Sequence, residues 1–237
     1  MKIKKMITGA ATFLAALFLM ASCNCIEGEG PRLEEMRDVS YFDKIELRMS
    51  ADVHLKQDSN LKVQIRAQEN ILKVLETKVD GGKLIIEPKG NCIRTSGSIE
   101  VFISLPVLEA LEVDGSGSFS SGGSFTLDNI DLEINGSGDI RLDLVANRID
   151  TDISGSGGVW LSGTAQSHNI DINGSGNVKA FGLTSYRADV DVSGSGDCEL
   201  QVHKKLDVRI SGSGNVYYKG SPDIKTRVSG SGSVDKQ

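Results

Sequence analysis

Aromatic residues make up only 5% of this 237-residue chain, which has a single Trp, 4 prolines and 3 histidines. With 27 glycines alongside, that composition fits many short strands and turns better than long helices. His54, His168 and His203 are scattered and no Cys falls at ligand spacing from them, so no zinc site is expected. Positive charge is short as well, 26 Lys and Arg against 32 Asp and Glu. No basic cluster stands out, which excludes nucleic acid and an anionic membrane surface as charge-driven partners.

Long apolar runs are confined to one place. Lys2, Lys4 and Lys5 precede "MITGAATFLAALFLM", an apolar run of 15 residues, and small residues Ala21 and Ser22 then lead into Cys23. The run is shorter than the ~20 residues that span a bilayer, and the three-part layout is that of a secretory signal, residues 1–22. Its end, "LMASC", resembles the lipobox of bacterial lipoproteins. That resemblance implies diacylation of Cys23, anchorage of the mature chain to the cell envelope through lipid, and an outer-membrane location, periplasmic or surface-facing. Without residues 1–22 the chain holds 23 basic and 32 acidic residues, net −9. Residues 23–37 read as a flexible acidic tether. Cys25 and Cys92 are able to pair in an oxidising envelope, although sequence alone leaves that open.

What the chain has in abundance is one triplet. Gly-Ser-Gly begins at residues 115, 136, 155, 174, 194, 212 and 230, at spacings of 21, 19, 19, 20, 18 and 18. Self-similarity at this period is the mark of a solenoid. Two residues before the triplets stand Val113, Ile134, Ile153, Ile172, Val192, Ile210 and Val228; two residues after them stand Phe119, Ile140, Val159, Val178, Cys198, Val216 and Val234. Alternation continues outward on both sides, so each repeat reads as strand, corner, strand and variable loop. Such repeats bury a core only by stacking in parallel, ~4.8 Å apart. The fold expected is an all-β, right-handed parallel β-helix over 111–237, with an irregular β-rich N-terminal cap over 38–110. A sandwich of hairpins fits less well, since one turn type returns once per two strands. Cys198 sits in an apolar column and reads as a small core hydrophobe. The small polar residue before each triplet, from Asp114 and Asn135 to Ser229, is expected to form a hydrogen-bonded ladder. In the cap, "FDKIELRMSADVHLKQ" reads as a degenerate rung with Met49-Ser50-Ala51 at the corner, and "LETKVDGGKLIIEP" as a hairpin.

These stretches, with "EVFISLPVLEALEVDGSGSF" and "VYYKGSPDIKTRVSGSGSV", resemble a bacterial domain family of unknown function, the auto-transporter adhesin, head GIN domain, over about residues 40–235. The resemblance implies a β-helical domain, export in Bacteroidetes-type bacteria and an adhesion-like role.

Chemistry is harder to find. The triplets open strands and lack the lysine of a phosphate loop. No base accompanies their serines. The calcium β-roll spacing also fails, with Arg141, Trp160, Lys179, Glu199 and Tyr217 where aspartates belong. An outward column of Glu112, Glu133, Asp152, Asp171 and Asp191 is the candidate ligand or cation face, continued by Arg209 and Arg227. Asp131, Asp150, Asp189 and Asp207 form a second column. Trp160 and Tyr217 are candidate aromatic contacts. No catalytic residue, metal set or cofactor is expected. The reading is a non-enzymatic binding or adhesion module facing a glycan or an envelope protein. The alternatives are a structural element that self-associates as a homo-oligomer and a polysaccharide-active enzyme.

Overall fold

The structure is a computed structural model that describes residues 25–237 apart from 91 and 96. An irregular first part holds β1 (Ile26–Glu27), β2 (Arg32–Arg37), β3 (Lys44–Leu47), β4 (Asp52–Gln57), β5 (Lys62–Gln68), one helical turn α1 (Glu69–Leu72), β6 (Leu75–Asp80), β7 (Lys83–Pro88), β8 (Ile93–Arg94) and β9 (Glu100–Leu105). The repeats follow as β10 (Ala110–Gly115), β11 (Ser118–Gly136), β12 (Asp139–Gly155), β13 (Gly158–Gly174), β14 (Asn177–Gly194) and β15 (Cys198–Gly212). The last turn is β16 (Asn215–Gly220), β17 (Asp223–Gly230) and β18 (Ser233–Lys236).

All pairings among the repeats are parallel and every corner is in register with the next: Gly115 lies beside Gly136, then Gly155, Gly174, Gly194, Gly212 and Gly230. The chain is a parallel β-helix. Residues at alternate positions point inward and are buried, Ile130-Leu132-Ile134 before a triplet and Ile140-Leu142-Leu144 after it being one set. Cys198 is fully buried between Val178 and Val216 in its column, as a core hydrophobe. Most variable segments stay in the wall, the break between β16 and β17 at residues 221–222 being an exception. "GTAQSH" lies within β13, a run of 17 residues. Register slips at Ser120/Ser124 and Trp160/Ser162 absorb the differences in repeat length.

The triplet solves the problem of turning a corner on top of an identical corner. Its first glycine takes φ of +134° to +140° from Gly136 to Gly230, a region closed to side chains. The serine N–H then donates to the glycine carbonyl of the rung below, as Ser195 does to Gly174 at 2.8 Å. Of the polar ladder expected before the triplets, one bond between rungs forms, Asn135 Nδ2 donating to Asp114 Oδ1 at 3.1 Å, and a longer run forms after the triplets of the last rungs. Asn177 Oδ1 accepts from Asp197 N at 3.0 Å, Asp197 Oδ1 from Asn215 N at 2.8 Å, and Asn215 Oδ1 from Ser233 N at 3.2 Å. The reason is directional: the residue after the second glycine has its acceptor under a free backbone N–H of the next rung, whereas Asn173 turns along its own strand to Asp171.

Below the first triplet, β3 and β4 stack on β10 and β11, with Leu47 beside Val113 and Val53 beside Phe119. The Met49-Ser50-Ala51 corner therefore occupies the triplet position. Under these lie β7 and β9, still parallel, after which antiparallel strands close the end: β6 on β7, β5 on β9 and β2 on β5. The β6–β7 hairpin turns at Gly81 and Gly82, both with positive φ. The stretch expected as a loose tether differs from that expectation over residues 25–37. Cys25 is disulfide-bonded to Cys92, β1 pairs with β8, and β2 pairs with β5 from Arg32 to Arg37. Glu34 binds Arg66 and Gln64 across that pair. Cross-strand charges and a covalent link hold what acidic composition alone suggested was free.

Candidate functional site

The second half of each rung places its odd-parity residues outward, and parallel register turns them into columns. One runs Glu46, Glu112, Glu133, Asp152, Asp171, Asp191, Arg209 and Arg227. The neighbouring one runs Asp131, Asp150, Asn169, Asp189, Asp207 and Lys225. The five candidate acids are thus brought into a single file. Glu46 was absent from the sequence-based set, yet it stands three residues before Met49 just as Glu112 stands three before Gly115. Treating the degenerate corner as a triplet finds it.

Like charges this close repel unless something meets them. Both ends of the file are met. Lys83 Nζ lies 2.6 Å from Glu112 Oε2 and 3.2 Å from the buried Glu46, which also pairs with Arg48. Glu46, Glu112 and Asp114 converge closely enough to suggest a metal site, but Lys83 supplies the positive charge there, and its own pKa is held above the ordinary lysine value, first by Glu112. At the far end Arg209 lies 2.8 Å from Asp191 and 3.9 Å from Asp189.

The middle is different. Glu133 accepts only from Asn135 at 2.9 Å, and Asp171 only from Asn173 at 2.7 Å. Asp150 has Asn169 at 2.7 Å and Arg148 at 2.6 Å. Asp152 has no hydrogen-bond or ion-pair partner among the described residues. Its carboxyl is held above the usual carboxylate range, mainly by lost solvation and then by Asp171 and Glu133. Asp150, Asp152, Asn169, Asp171, Asp189 and Asp191 line a shallow depression of about 180 Å³. A flat bed of carboxylates and amides is equipped to accept and donate hydrogen bonds to an extended hydroxyl-rich or cationic ligand. No nucleophile–base pair stands with them, and the depression is open to solvent.

The outward column of the first half-rungs carries the aromatics. Trp160 lies between Arg141 and Lys179, and Tyr217 between Glu199 and Asp235. The indole is not a free platform. It folds back over Gly158, where a Cβ would come within 2.3 Å of a ring carbon, and the Arg141 guanidinium sits 4.0 Å from the ring centroid. The arrangement is a cation–π stack within the wall. Gly158→Ala should lift the ring, and because this is the only Trp in the chain, the change reads out as a red shift in fluorescence emission. An unmoved spectrum would contradict the stacked position. Further down the same column His54 stacks on Phe102 at 5.0 Å, with Arg66 at 5.1 Å on that ring. Sequence reasoning missed this pair because it joins strands of the irregular part.

No curated protein matches the chain. Among solved structures, a "putative adhesin" from Bacteroides fragilis superposes with a TM-score of 0.85 at 25% identity, covering 90% of this chain and 100% of that one. A "putative lipid binding protein" from Parabacteroides distasonis gives 0.75 at 25% identity, over 90% and 99% of the two chains. A second Parabacteroides distasonis protein, a "putative adhesin", gives 0.72 at 23% identity over 90% and 100%, a likeness of fold alone. These neighbours are named for adhesion or binding rather than for catalysis. The family model described as "Putative auto-transporter adhesin, head GIN domain" matches residues 41–222, and with most of the chain inside that match, the protein belongs to this family.

Proposed function

We propose that the chain is an exported envelope lipoprotein, held to the outer membrane by diacylated Cys23, whose β-helix presents its acidic file as a rigid binding face to a glycan. Cys23 and the leader lie outside the described residues, and the support for them is the sequence pattern together with the Cys25–Cys92 disulfide, a bond suited to an oxidising compartment. The observation that carries the binding role is the uncompensated middle of the file, Glu133, Asp152 and Asp171, laid out on a backbone that cannot rearrange. Alternating carboxylates, Asn169 and Asn173 offer acceptors and donors at a repeat of ~4.8 Å, which suits a polymer of hydroxyl-bearing units better than a compact ligand. Family membership adds an adhesin-like role of the same kind.

A glycan array probed with the full chain, with and without calcium, tests this. Binding to a restricted set of polysaccharides is expected. An array without a binder in either condition would overturn the glycan reading. Dependence on calcium would assign the file a cation-bridged contact, and independence would assign direct hydrogen bonds.

A further inference from the structure

The two ends of the coil are finished differently. Antiparallel strands β2, β5 and β6 close the N-terminal end. At the C-terminal end all eight residues of β17 are exposed, and its outer edge pairs with nothing among the described residues. Its inward-pointing Ile224 and Val228 are 39% and 44% exposed, whereas Leu206 and Ile210, one rung below in the same columns, are 0% and 2%. Among the described residues this edge is left open to pairing.

The charges on this edge choose among possible rungs. Outward on β17 stand Asp223, Lys225 and Arg227, and neither Asp223 nor Arg227 has an ion pair among the described residues. Continuing the parallel stack with a copy of the same strand would set Arg227 against Arg227 and Lys225 against Lys225. An antiparallel approach centred on Lys225 instead sets Asp223 opposite Arg227 twice and Ile224 opposite Thr226 on the core side. Lys225 faces Lys225 in either arrangement, so the choice rests on Asp223 and Arg227. A second copy offers the same cross-section and this charge order read backwards.

We propose that two copies of this chain pair tail to tail through antiparallel β17 edges, closing both open ends in one two-fold dimer. Such an isologous contact uses up both edges and stops at two, whereas a head-to-tail contact would leave an edge free and grow a filament.

Sedimentation equilibrium of the full chain in detergent, over a range of concentrations, reads the association. A reversible dimer is expected for the wild type. Arg227→Glu should weaken it roughly tenfold, since two attractive pairs become repulsive. The double variant Asp223→Lys/Arg227→Glu should restore it. Both sites are exposed, so neither change burdens folding, and micelle occupancy alone would not follow the charge swap. A monomer at every concentration, larger open assemblies, or a dimer indifferent to Arg227→Glu or unrestored by the double variant would overturn the proposal.

Discussion

Gly194→Ala should cost the chain a large part of its stability, while Gly123→Ala should leave it nearly unchanged and Gly115→Ala should fall between. The series separates two costs. Gly194 has φ +135°, and an added Cβ would lie 2.2 Å from the Gly174 carbonyl oxygen. That oxygen already accepts from Ser195 N at 2.8 Å, so the methyl group either breaks the corner hydrogen bond or forces two rungs apart. Backbone strain of roughly 1–3 kcal/mol adds to a buried hydrogen bond worth about as much. The sum, roughly 3 kcal/mol or more, is a large part of the stability of a typical domain. Gly115 has a comparable φ of +123° but no atom within 4 Å of the added carbon, because no glycine triplet lies beneath it. It should show the conformational strain alone, about 1–2 kcal/mol. Gly123 meets nothing within 4 Å and has no positive φ. Denaturant melts of the three variants check the order, and equal losses at Gly115 and Gly194 would mean that rung-to-rung contact is not what the triplet serves.

Acid weakens the core through one side chain. His168 is fully buried between Ile149 and Ala188 in an inward column, with Nε2 3.0 Å from Thr151 Oγ1. Its Nδ1 is buried with no partner, and burial pushes its pKa down to about 4. In the unfolded chain the imidazole titrates near its ordinary value of ~6.5. Above that pH both states are neutral at this site and nothing is lost. As pH falls from about 6.5 towards 4 the unfolded chain takes up a proton that the folded chain refuses, so stability declines, by about 3 kcal/mol in all. Below pH 4 the folded state also protonates and this contribution levels off. The double variant Thr151→Val/His168→Leu removes both polar partners together. It should match or exceed the wild type at pH 7, since neither position then holds a buried polar atom without a partner, and it should lose less between pH 6.5 and 4. Parallel stability curves for the two proteins would show that His168 is not the acid-sensitive group.

Much of this architecture is visible in the sequence because a repeat reports itself many times. Seven triplets with apolar residues at fixed offsets define the rung, the inward columns and the outward acid file at once, and the observed register follows them at every corner. Cys198 was readable for the same reason. The features that escaped are the ones that occur once. Lys83 reaches Glu46 and Glu112 from a cap strand whose place under β3 no local pattern announces. His168 and Thr151 occupy inward positions in steps of two with Ile170-Ile172 and Ile149-Ile153, so alternation places them in the core. Their pairing, however, depends on contact between rungs. The side chains over the aromatic column also come from neighbouring rungs, and so Trp160 looks available in sequence and is covered in space. Hydrogen-bond direction at the corner decided that the polar ladder runs mainly through Asn177, Asp197 and Asn215, with the Asn135–Asp114 bond alone among the residues before the triplets.

The central claim is that function resides in the unneutralised middle of the acidic file. Replacing Asp152 and Asp171 by Asn keeps the shape and one acceptor oxygen of each side chain and removes the charge, and relief of like-charge repulsion at Asp152 should leave stability equal or higher. The direct measurement is the affinity of this variant for the polysaccharides that the wild-type chain selects, compared with a variant altered at Tyr217 on the other outward column. The account predicts that the Asp152→Asn/Asp171→Asn chain, folded as well as the wild type, loses at least roughly tenfold in affinity, the size expected for removing charged hydrogen-bond acceptors, while Tyr217→Ala binds normally. Undiminished binding by the neutralised file, or loss confined to Tyr217→Ala, would contradict it.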